Sequence, residues 1–98
     1  MSLSMMLGDQ EVKVNGILYA AMLKVCPEAL KERLLIKEDM VKLYEELTAW
    51  VNSVVLVQEG DTYQDTLDRM RYVERHLNMA VAIMDWVHCS EEASVVLA

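Results

Sequence analysis

Asp85, His88 and Cys89 stand together near the end of the run NMAVAIMDWVHC, residues 78–89. An acid, an imidazole and a thiol are the side chains from which metal centres and nucleophilic sites are built, so their spacing decides what they can do. On a helix Asp85 and His88, three positions apart, share a face. Cys89 then sits at a helix C-terminus, where the negative end of the backbone dipole opposes a thiolate. It is a poor nucleophile in that place.

The acid-x-x-His spacing is the one used in carboxylate-bridged dimetal bundles, which need two such motifs and further carboxylates from other helices. This chain has one copy; before His76, the other histidine, the third residue back is Val73. A solvated Asp85 and a His88 that complements the helix end account for the pair without a metal. A second acidic set comprises Asp61, Asp65 and Asp68 with Glu45 and Glu46. It resembles the paired acidic motifs by which all-α nucleotide pyrophosphohydrolases hold magnesium. Asp65 and Asp68 fit the three-residue spacing, but Glu45 and Glu46 are adjacent and face different ways. Asp61 and Asp65 also fit as acids at a helix N-terminus. Arg69, Arg71 and Arg75 alternate with Asp68 and Glu74, as on a solvated face with local pairs. No nucleotide loop, nucleophile elbow or zinc-ligand pattern is present. The residues therefore give no catalytic, cofactor-binding or metal assignment, and a divalent-metal-dependent hydrolase stands as the alternative reading.

These side chains would be carried by helices. Tyr63, Leu67, Met70, Val73, Leu77, Ala80, Met84 and Val87 form one apolar stripe, and Tyr72, His76, Met79, Ile83 and Trp86 a second, which predicts a helix from Thr62 to about Cys89. Gly60 suits a left-handed helix cap, with Asp61 as the next N-cap and Gln64 completing a capping box. Upstream, Ile36, Met40, Leu43, Leu47, Trp50, Val54 and Val57 alternate four and three apart, the seam of a helix lying along a partner. Residues 27–57 form one helix or break near residues 35–37. An N-terminal helix is expected from Asp9, with Val14, Leu18, Met22 and Val25 on one face and Pro27 ending it. The expected fold is all-α. It has three or four helices: a long antiparallel helical hairpin with the N-terminal helix packed on it. Residues 8–90 would form a single helical domain, residues 1–7 a disordered leader ahead of a start at Met5 or Met6, and residues 91–98 a tail.

The net charge is −7: zero over residues 1–26, −3 over 27–59 and −4 over 60–98. No segment is basic, which argues against direct nucleic-acid binding. The longest uncharged run, residues 47–58, is short of the ~20 residues that span a membrane. The start of the chain has no basic residues ahead of its apolar ones, so it does not read as a signal peptide. Cys26 and Cys89 match neither a zinc site nor a disulfide scaffold and read as reduced thiols in a cytoplasmic protein. The apolar fraction of 54%, with eight Met and no Phe, exceeds what one small monomer needs to hide. The expectation is a small acidic protein-interaction module (adaptor, chaperone or regulator) that presents a methionine-rich groove or an acidic face. A homodimer would form through Tyr72, Met79, Ile83 and Trp86, a stripe that two other helical segments would leave open. An acidic mimic of nucleic acid is a third reading, suggested by charge.

Overall fold

The computed structural model describes residues 2–98. It is not all-α. Leu3–Leu7 (β1), Gln10–Val14 (β2), Leu34–Ile36 (β3) and Ser94–Leu97 (β4) form one four-stranded sheet, joined by helices Gly16–Val25 (α1), Pro27–Glu32 (α2), Lys37–Ser53 (α3) and Tyr63–Cys89 (α4). The strand order is β2-β1-β4-β3 and every pairing is antiparallel. The two central strands are thus the segments expected to be a leader and part of the tail.

The first correction has a local cause. Met5, Leu7, Val12 and Val14 point inward while Ser4, Met6, Glu11 and Lys13 point outward, the alternation of two that a half-buried strand needs. Gly8 and Asp9 join β1 to β2, with Leu7 paired to Gln10. Gly8 has φ +62 while Asp9 keeps ordinary φ, the sign pattern of a type II′ hairpin turn. Helix α1 consequently starts at Gly16, after the expected start at Asp9, with the Asn15 side chain accepting from the Leu18 N–H at 2.9 Å.

Residues 27–57 do break. Arg33 takes the left-handed conformation, φ +58, and closes α2. Leu34–Ile36 then pairs with β4, and α3 begins at Lys37, where Asp39 accepts from the Ile36 N–H at 3.1 Å. Helix α3 also ends earlier than the apolar seam suggests, at Ser53 rather than Val57. Three of the next four residues (Val54, Val55, Val57) are β-branched, which weakens helix continuation.

One face of the sheet carries the helices. Met5, Leu7, Val12, Leu35, Val95 and Leu97 of the strands share one core with Leu18 and Met22 of α1, Met40, Leu43 and Leu47 of α3, and Ala80, Ile83 and Trp86 of α4. Each large aliphatic side chain buried there contributes about 1.5–3 kcal/mol. The strands thus cover the α4 stripe that a bare helical hairpin would leave open. No helix among the described residues is long and apolar enough to cross a membrane.

Candidate functional site: the apolar hairpin tip

Helices α3 and α4 leave the sheet together; the Lys37 Nζ donates to the Ser90 carbonyl at 2.8 Å, tying the start of one to the end of the other. They run antiparallel, but α3 has 17 residues and α4 has 27. At 1.5 Å per residue the difference leaves about 15 Å of α4 beyond the end of α3. Residues 54–62 fold back over this overhang.

A charged clamp holds that loop. Arg69 donates from Nη1 to Asp61 Oδ2 at 2.6 Å and from Nη2 to Oδ1 at 3.1 Å, a two-pronged contact that fixes both planes. The same Nη1 donates to the Leu56 carbonyl at 2.7 Å. Asp61 also accepts from the Gln58 N–H at 2.8 Å and from the Thr66 hydroxyl at 3.1 Å. The Arg69 hydrogen bonds, followed by the Gln58 N–H, hold the Asp61 carboxyl well below the usual carboxylate range; the contact with Asp61 raises the Arg69 guanidinium in turn. Gly60, at φ +86, supplies the reversal between Gln58 and Asp61. The capping box of α4 lies one residue later than the sequence suggested: Thr62 Oγ1 accepts from the Asp65 N–H and Asp65 accepts from the Thr62 N–H, both at 3.1 Å. Asp61 is thereby free to serve the loop.

The clamped backbone displays apolar side chains to water. Val57 is 71% exposed and Tyr63 82%; Val55, Leu56 and Met70 are exposed beside them in the chain's fold-back. Isolated exposed aliphatics are ordinary, but a cluster at one extremity is the feature of a contact surface. By spacing alone Val54 and Val57 fit a helix seam and Arg69 a solvated face. The signal that could have separated them is the run VVLV between a helix and the QEGD turn.

A second polar cluster anchors the hairpin to the sheet. His76 is fully buried. Its Nδ1 lies 2.7 Å from the Tyr72 carbonyl and its Nε2 lies 2.9 Å from Asn15 Nδ2. The tautomer with the proton on Nδ1 satisfies both, because Nε2 then accepts from the amide whose oxygen caps α1. The Trp50 and Tyr72 rings each stand 4.6 Å from the imidazole, enclosing it.

Of the residues expected at an interface, Tyr72 is exposed on the outer side of this aromatic group and Met79 is half-buried. Ile83 and Trp86 lie inside the chain's own core, 0% and 5% exposed. Asp85, His88 and Cys89 are exposed, with the Cys89 thiol donating to Asp85 Oδ1 at 3.6 Å. Cys26 is buried, and desolvation, followed by the charge of Asp39, pushes its thiol up to about 11. Four of the five acids of the hydrolase reading have separate partners: Asp61 binds Arg69, Asp65 caps α4, Asp68 accepts from Gln64 at 2.7 Å, and Glu46 pairs with Lys24 at 2.9 Å. Among the described residues no three His, Cys, Asp or Glu side chains come together as a metal-ligand group. The methionines are divided too: Met5, Met22 and Met40 are buried, while Met6 and Met70 are exposed. No protein-family model, curated protein or solved structure matches this chain.

Proposed function

We propose that this chain is a protein-interaction module, without catalysis of its own, whose docking element is the hairpin tip. The observation that carries the reading is the pairing of a fixed backbone with exposed apolar side chains in residues 55–57. Ordering a loop on binding costs about 1–2 kcal/mol per residue, and a loop already held by Arg69 and Asp61 avoids much of that. Glu59, Asp65 and Asp68 are exposed in the same segment. The fitting partner is a protein with an apolar pocket rimmed by basic groups. The apolar contact supplies affinity and the acids speed encounter.

The test is a comparative capture from native lysate, quantified by mass spectrometry, using wild type, Val57→Asp, and Ile36→Asp on the open sheet face as baits. A partner of the tip is lost with Val57→Asp and kept with Ile36→Asp. Equal recovery on all three baits, or no saturable partner on any, sinks the proposal.

A further inference from the structure

The β2 edge of the sheet carries an inference independent of the tip. Among the described residues β2 has one neighbour, β1. Ser4 exchanges both its backbone hydrogen bonds with Ala98, at 2.9 Å each way. Lys13, which stands opposite Ser4 on β2, is therefore in a non-hydrogen-bonded position. Its N–H and C=O point off the sheet. By the same alternation those of Glu11 do so too, while the side chains of Glu11 and Lys13 share the outer face and Val12 is buried below. Glu11 and Lys13 are exposed, and a cleft of about 220 Å³ separates Glu11, Val12 and Lys13 from Arg75, Asn78 and Ala82 of α4.

Such an edge accepts another strand. A second copy of the same edge can meet it across a two-fold axis normal to the sheet, which keeps the helices of both copies on one side. Preserving the faces requires the axis to pass through a residue position. An axis at Glu11 sets that carboxylate against its own copy, and an axis at Lys13 does the same with the ammonium; both registers oppose like charges. An axis at Val12 opposes Glu11 of each copy to Lys13 of the other and brings the two Val12 side chains together below. It also makes Glu11 and Lys13 the hydrogen-bonded pairs, which matches the groups that point outward.

We propose that β2 is a homodimer interface. Two copies join by antiparallel pairing centred on Val12, merging two four-stranded sheets into one. The occupant is a second copy because the charge order Glu-Val-Lys is its own complement under that axis and under neither adjacent one. The junction forms about four backbone hydrogen bonds and a symmetric pair of cross-strand charge contacts on the outer face.

Sedimentation equilibrium of the full chain from about 1 µM to about 500 µM tests this. The mass is expected to rise from 11.2 kDa towards twice that value. Glu11→Lys and Lys13→Glu each weaken the dimer about tenfold or more, since each opposes like charges. An equimolar mixture of the two variants recovers the dimer as a mixed species, because one variant then carries two bases and the other two acids. Lys13→Pro removes an N–H that β1 does not use and leaves the circular dichroism spectrum unchanged, but yields a monomer. A mass of 11.2 kDa at every concentration overturns the proposal. So does a dimer indifferent to Lys13→Pro, which would place the contact elsewhere, for example on Met6, Leu34 and Val96 of the open sheet face. Failure of the two charge variants to pair, with both folded, overturns the register.

Discussion

The two ends of this molecule are held by different forces. At the sheet end, three long helices and four strands bury one continuous set of aliphatic side chains, with Met5, Leu18, Leu35, Leu43, Ile83 and Val95 fully enclosed. At the other end, the hairpin tip leaves Val55, Leu56 and Val57 in water and holds their backbone with one arginine and one aspartate. The first end is stabilised by area removed from water, a collective term spread over many residues. The second is shaped by a few directed bonds, a local term. Damage to the first should be felt everywhere, and damage to the second should stay at the tip. The tip should therefore be alterable without altering the fold.

The largest effects that test this contrast are expected at the sheet end, one of them at Met5 in the strand nearest the start of the chain. Met5→Ala removes a fully buried side chain and should lower unfolding free energy by about 2–5 kcal/mol in urea titrations. A loss within error of zero would mean that β1 is not part of the core. Ile83→Glu is harsher still, because it places an unpaired charge in the same cluster. It should leave an unfolded chain by circular dichroism rather than a folded monomer freed from a dimer.

Next in size is the clamp. Arg69→Ala should move the global Tm much less than Met5→Ala, yet speed amide exchange in residues 56–61 by about tenfold, relative to the sheet amides. Similar acceleration at both ends would show that the tip and the core unfold as one unit.

The pH response separates the two ends further. The Asp61 carboxyl is depressed in the folded chain, so its contribution is present above the unfolded value of 3.8 and disappears as pH falls through the folded value. Exchange protection at the tip should therefore be flat across neutral pH and fall only in strong acid, and Arg69→Ala should abolish that acid limb. The Cys26 thiol is raised, with the opposite sign. Its contribution is full below the unfolded value of 9.0 and is lost as pH rises through about 11. Core stability should decline over that window, and Cys26→Ser should flatten the decline. At pH 7.5 a thiol reagent should label exposed Cys89 quickly and buried Cys26 only on unfolding.

The smallest effect concerns the partner proposed for the tip. Raising salt from low to physiological should slow association severalfold while dissociation changes little, because the acids steer and the apolar residues hold. A dissociation rate that climbs steeply with salt would transfer the contact from the apolar run to the acids.

The long helices were readable from residue order alone because a helix bonds within itself. The 3.6-residue spacing of Met40, Leu43 and Leu47, and the twin stripes of α4, are local statements that need no distant partner. Pro27 marked the start of α2 and Gly60 the reversal before α4 for equally local reasons. The hairpin of β1 and β2 was also written locally, in Gly8-Asp9 and the alternation around it. A competing four-residue spacing through Val14, Leu18 and Met22 drew that segment into a helix instead. The sheet as a whole was another matter. Its central ladder pairs Met5 with Leu97, and a strand's hydrogen bonds go to whichever chain lies beside it. Nothing in SVVLA taken by itself distinguishes a frayed end from a strand until LSMML lies beside it. That meeting covers Ile83 and Trp86, makes the helical hairpin a one-sided layer, and leaves the tip and the β2 edge among its open surfaces. Local periodicity placed the helices, but only long-range pairing could decide which apolar stripe was core and which was surface.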